Sequence, residues 1–254
     1  HGPSELLGDR QVELVEAGVT ANPSQLDDPK GFFALFGDAA HQRDGFAERL
    51  TFWLDAWVHD LSVKQYPSCY GTHRAIDAIL DTRADLPEPI GDFVEIEVVV
   101  HQGGLDPLIT RLPVSGLEGK FSLPYTTVRA LTDGYVGLDS FSDEAVVEPT
   151  MADRMDRVSV RTADQPIDRP DLAGEPFAQV SVVTRSGQAI SRLVTVTRGD
   201  ARNPLSDDEV DAKFRACTRA AGWQMDESDT LLAALRALPW APDLTDIRQS
   251  LRRA

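Results

Sequence analysis

The chain has 254 residues, 42% hydrophobic and 26% charged, enough to bury a core in one large domain or two modest ones. Its 41 acidic and 25 basic residues give a net charge of −16, which argues against a nucleic-acid partner, and no apolar run reaches the roughly 18 residues of a membrane span. Two cysteines, Cys69 and Cys217, without Cys-x-x-Cys or His-Glu-x-x-His spacing, suit neither an iron–sulfur cluster nor zinc; no metal and no cofactor are expected.

In chain order, residues 4–22 read as the end of a helix, with Leu6, Leu7, Val12, Leu14 and Val15 apolar and Gly18 at its C-terminal turn. No secretory signal is visible, so a cytoplasmic location is expected. Phe32, Phe33, Leu35 and Phe36 are too dense for a surface loop, a helical piece covers 43–50, and residues 51–63 read as buried extended chain or turn. A helix follows at 71–82, with Ala75, Ile76, Ile79 and Leu80 on one face.

The pattern then changes. Residues 92–101, "DFVEIEVVVH", alternate as a strand with Val94, Ile96, Val98 and Val100 on one side. A helix is predicted over 121–138, with Pro124 in its first turn and Gly134 near its end. Strands are predicted around 156–164 and across 176–200, the latter two joined by a two-residue hairpin at Ser186-Gly187. From 205 the helical period returns with Ser206 as cap, followed by helices at 228–238 and 243–253. The fold class is therefore α+β, in three parts: 1–59 as the end of a helical domain, 60–198 as an α+β domain, and 199–254 as helices returning to the first part.

Within 63–83, "VKQYPSCYGTHRAIDAILDTR", the chain places Lys64, Tyr66, Cys69, Tyr70 and His73 together just before a helix. That stretch, "KFSLPYTTVRALTDGYVGLDSF" at 120–141 and "NPLSDDEVDAKFRACTRAAG" at 203–222 resemble, in order and spacing, three motifs of the MmgE/PrpD family. "GVTANPSQLDDPKGFFALFGD" is similar to the segment before that family's lid domain. The family comprises cofactor-independent dehydratases, decarboxylases and epimerases of small carboxylates, roughly twice as long as this chain. The resemblance therefore implies the lid-bearing C-terminal half, with an Asp/Thr/His group facing the lid supplied by an N-terminal half on a second polypeptide, or lost by truncation. It further implies a dimer or higher assembly and a small di- or tricarboxylate ligand.

Spacing alone makes Lys64 a surface lysine; the resemblance makes it the ligand of a substrate carboxylate. Tyr125 reads as a core aromatic, and by resemblance as a tyrosine that reaches substrate, its phenol pKa lowered by a nearby ammonium. Cys69 stands where the decarboxylase pattern has a catalytic histidine; it serves as a proton carrier only if cations lower its pKa. His73 is either a neutral histidine near a helix start, oriented by Asp77 at i+4, or a catalytic one, with Thr72 a candidate helix cap. Lys120 and Arg129 add positive potential or are ordinary surface charges, while His101 and His59 rank behind these. The resulting expectation is a lyase or isomerase that removes a proton beside a carboxylate, with Lys64 and Lys120 binding substrate and Tyr125, His73 and Cys69 moving protons. The other expectation is a non-catalytic ligand-binding or interaction subunit.

Overall fold

In the computed structural model, described for residues 14, 16–20, 61–86 and 93–251, strand β1 (Phe93–His101) sits inside a four-stranded sheet ordered β2-β1-β3-β4. Strand β2 (Val158–Ala163) lies parallel to β1, with Ile96 opposite Val158. β3 (Ala178–Thr184) runs antiparallel to β1, and β4 (Ala189–Val194) antiparallel to β3. A parallel pair needs a crossover, and the chain between β1 and β2 carries four helices: α2 (Gly116–Gly119), α3 (Leu123–Asp133), α4 (Asp143–Val146) and α5 (Pro149–Met155). Before β1 comes α1 (Tyr70–Arg83); after β4 come α6 (Asp207–Ala220), α7 (Met225–Ala237) and α8 (Thr245–Leu251).

The core lies between α1, α3 and the sheet. Ala75, Ile76 and Ile79 of α1 and Val128 and Leu131 of α3 are fully buried with Ile96, Val98, Val180 and Val182 of the strands. Each large aliphatic side chain removed from water here contributes about 1.5–3 kcal/mol. Helix α3 starts on the Ser122 hydroxyl, which accepts the Tyr125 N–H at 3.3 Å, carries Pro124 in its first turn and stops at Gly134, φ 77°. The described residues thus form the expected α+β fold, with eight α-helices and a mixed sheet. None of the described helices is long and apolar enough to cross a membrane.

Four local expectations change. Val94 is 52% exposed, because a register shift between Phe93 and Glu95 leaves Phe93 in the core and turns Val94 outward; Val99 is buried as well. The hairpin loop has three residues: the Gly187 N–H bonds to the Thr184 carbonyl at 3.0 Å, Gly187 takes φ 83°, and the Thr184 N–H closes on Gln188. The helix predicted to reach 138 ends at Asp133. The short helices α2, α4 and α5 carry no periodic signal of their own.

The chain divides into two compact units, residues 1–60 and 61–254. In the first, Gly18 adopts φ 86° and the Val19 N–H reaches the Leu14 carbonyl at 2.9 Å, the C-terminal turn read from sequence. The apolar segments at 31–36, 43–50 and 51–60, with His59, lie outside the described residues.

Candidate functional site

The loop bearing Lys64 is fixed from the far end of the sheet. Just after β4, the Gly199 carbonyl accepts the Val63 N–H at 2.7 Å. Gly199 adopts φ 83°, and a Cβ there would lie 2.0 Å from the Val63 carbonyl oxygen, so only glycine fits. Next door, the Arg198 N–H donates to one Asp77 oxygen at 2.8 Å while the Tyr66 hydroxyl donates to the other at 2.6 Å. The Tyr70 hydroxyl meets Thr197 at 2.7 Å, and the Arg74 guanidinium donates to the Thr195 carbonyl at 2.9 Å. Residues 195–199 therefore clasp both α1 and the loop before it.

On this frame the Lys64 ammonium donates to the Ser68 carbonyl at 3.3 Å; its side chain is exposed and pairs with no acid among the described residues. Cys69 is the N-cap residue of α1, partly exposed, with no side-chain cap bond. Its N–H donates to the Lys120 carbonyl at 2.9 Å, which joins the Lys64 loop to the end of α2. The Lys120 ammonium lies 5.9 Å from the Phe141 ring centre. Backbone contacts thus link the Lys64 loop, Cys69 and Lys120. Thr72 is not the cap: it lies inside the first turn and donates to the Cys69 carbonyl at 2.8 Å.

His73 and Tyr125 lie in the interior. His73 is 0% exposed, with the rings of Tyr66 and Tyr70 centred 5.2 and 5.0 Å away, and neither ring nitrogen has a hydrogen-bond partner among the described residues. Burial lowers its pKa to about 4; the Lys64 and Lys213 charges push the same way, opposed by the carbonyls of Ser68 and Tyr66, which face the ring outside hydrogen-bond geometry. Asp77 does not orient it, because both Asp77 oxygens are taken by Tyr66 and Arg198. Burial also raises the Asp77 pKa, against those two hydrogen bonds.

Tyr125 is likewise fully buried, its hydroxyl donating to the Ser140 carbonyl and accepting from the Arg129 guanidinium at 3.1 Å. Its pKa is raised, not lowered: desolvation outweighs Arg129. Arg129 is no surface charge. It is 9% exposed and bridges Asp133 and Glu148, each at 3.2 Å. The i, i+4 run Tyr125–Arg129–Asp133 was the available sequence signal for this network. His101 ends β1 against the Phe177 carbonyl, 3.4 Å from its Nδ1.

A family model described as the MmgE/PrpD C-terminal domain matches residues 66–235, from the Lys64 loop through α6 and most of α7. The chain belongs to the MmgE/PrpD family. It is 24% identical over 241 residues to cis-aconitate decarboxylase of Homo sapiens, covering 92% of this chain and 47% of that protein. Against cis-aconitate decarboxylase of Mus musculus it is 24% identical over 208 residues, covering 80% of this chain and 41% of that one. The chain spans less than half the length of these MmgE/PrpD relatives.

Proposed function

We propose that this MmgE/PrpD domain is the lid-bearing portion of a cofactor-independent lyase or isomerase acting on a small di- or tricarboxylate, with decarboxylation the reaction its relatives' names favour. The observation that carries this reading is the Lys64 ammonium, exposed and without an acidic partner among the described residues in a chain of net charge −16, on a loop tied through the Cys69 N–H to the Lys120 carbonyl. Such a cation focuses an anionic ligand against the field of the whole molecule. In this reading Lys64 and Lys120 hold substrate carboxylates and stabilise negative charge as it develops beside them.

A base takes the proton next to a carboxylate. The electron pair left on carbon then expels a leaving group or is reprotonated; in decarboxylation the pair comes instead from the bond to departing carbon dioxide. Cys69 offers a sulfur within reach of solvent on this face. His73, neutral above about pH 4, and Tyr125 underlie it, and Tyr125 would have to exchange its Ser140 and Arg129 partners to meet a substrate. The main base and the remaining walls belong to an N-terminal half, carried by a second polypeptide or by a longer form of this chain, in a dimer or higher assembly. Native mass spectrometry beside the denatured mass tells these apart.

The test is cis-aconitate in heavy water with the full assembly, following carbon dioxide release and deuterium entry beside the carboxylates. Lys64→Gln should lower turnover about a hundredfold or more; undiminished turnover sinks the reading. The buried, fully bonded Tyr125 hydroxyl favours a second reading, a carboxylate-binding subunit without chemistry. That reading predicts Lys64-dependent binding with no turnover and no isotope exchange.

A further inference from the structure

Only four of the 25 basic residues are lysines, at positions 30, 64, 120 and 213. Lys213 belongs to no role assigned so far. With Gln65 and Pro67 it lines a groove of about 550 Å³ between α6 and the turn Tyr135–Asp139, a groove that Lys64 does not line. Its walls are largely apolar: Pro67, Val136 and Leu138 on one side, and on the other the Ala212, Ala216 and Ala220 edge of α6.

The groove's charges are unevenly matched. Its two acids are engaged: the Glu209 carboxylate takes the Ser206 N–H and hydroxyl at 2.8 and 3.0 Å, and Asp139 accepts the Tyr135 hydroxyl. Its two cations, Lys213 and Arg219, pair with no acid among the described residues. Lys213 is half-buried on α6 and Arg219 is exposed.

The geometry points to a binding site in this groove for a small carboxylate with an apolar body. Lys213 and Arg219 hold its carboxylate, and Val136, Leu138 and Ala216 cover its hydrocarbon. Cations without an acidic partner and apolar walls are what binding a molecule of this class requires. The site stands apart from the lyase reading, since neither Lys64 nor Cys69 lines it.

The small number of lysines makes the test direct. Lysines dimethylated with ¹³C-formaldehyde keep their charge and give four signals besides that of the α-amino group, assigned by Lys→Arg replacement. Titration with 2-hydroxyhexanoate should move the Lys213 signal along a saturable curve. In a Cys69→Ser background it should also slow alkylation of Cys217, which is exposed and lines the groove. Lys213→Gln should weaken binding about tenfold, as loss of one charge-assisted contact does. Ala216→Phe, which fills the groove and leaves both cations in place, should abolish binding; circular dichroism checks that both variants fold. Hexan-1-ol lacks the charge and lactate the hydrocarbon, so both should bind at least tenfold more weakly. Four signals moving together, an unmoved Lys213 signal, equal binding of either control, or full affinity in Ala216→Phe each overturn the proposal.

Discussion

Helices α1 and α6 are both fourteen residues long, and they are held in opposite ways. Helix α1 has no side-chain cap, no acid in its first turn, and eight buried residues. Helix α6 starts with a reciprocal cap between Ser206 and Glu209, gathers Asp207, Asp208 and Glu209 at its positive end, places Arg219 near its negative end, and buries nothing fully. Local chemistry sustains α6, whereas packing and the clasp from residues 195–199 sustain α1. The difference bears on function. The Lys64 loop rides on the element that the whole domain holds in place, while α6 offers an open wall bearing Lys213 and Arg219, which pair with no acid among the described residues.

If the clasp holds α1, breaking it should cost more than breaking any cap. Gly199→Val forces a branched side chain into a left-handed backbone and against the Val63 carbonyl. Urea denaturation should show a loss of about 4 kcal/mol, and carboxylate binding at Lys64 should fail with it. Asp77→Ala strands the Tyr66 hydroxyl and the Arg198 N–H, and should cost about 3 kcal/mol. A loss under about 1 kcal/mol in both variants would show that apolar packing alone positions the loop.

His73 sharpens the same contrast through pH. Its folded pKa, about 4, lies below the ordinary 6.5, so between those values the folded protein binds fewer protons than the unfolded chain. Its contribution is complete above pH 6.5, falls as the pH drops towards 4, and levels off below that, a span of about 3 kcal/mol. Asp77, its pKa raised by burial, acts with the opposite sign, losing stability as pH rises through its folded pKa. The decisive quantity is therefore the difference in slope between the parent and His73→Phe, from urea melts at pH 4 to 7. Equal slopes would mean that the imidazole is hydrated in solution and titrates normally.

The elements legible in the sequence are those with local causes. Ser206 and the acids after it marked the start of α6, and Pro124 and Gly134 bracketed α3, because capping and backbone preferences act within a few residues. The β1 bulge that exposes Val94, and the burial of Arg129, depend on strands and helices distant in the chain. The candidate site divides along the same line. Lys64, Cys69 and Lys120 were picked out through motif resemblance, and the structure links Cys69 to Lys120 through the backbone alone. Gly199 and Arg198, which aim the Lys64 loop, sit more than 100 residues away and were read as the end of a strand that in fact stops at Val194. Resemblance also gave Tyr125 an exposed role, and nothing local in the sequence shows that Ser140 and Arg129 enclose its hydroxyl.

The smallest expected effect tests the other side of the comparison. Ser206→Ala removes the acceptor for the Glu209 N–H and half of the reciprocal cap, worth about 1 kcal/mol. Because α6 buries no residue fully, that loss should remain local: faster hydrogen exchange at Glu209 and Val210, with little change in exchange at Ile76 and Ile79 of α1. Gln65 and Pro67 face α6 across the groove, so weaker 2-hydroxyhexanoate binding in the same variant would be consistent with a frayed wall. If the exchange rates of α1 rose as much as those of α6, the two helices would belong to one cooperative unit. The absence of buried residues in α6 would then understate how strongly it supports the domain.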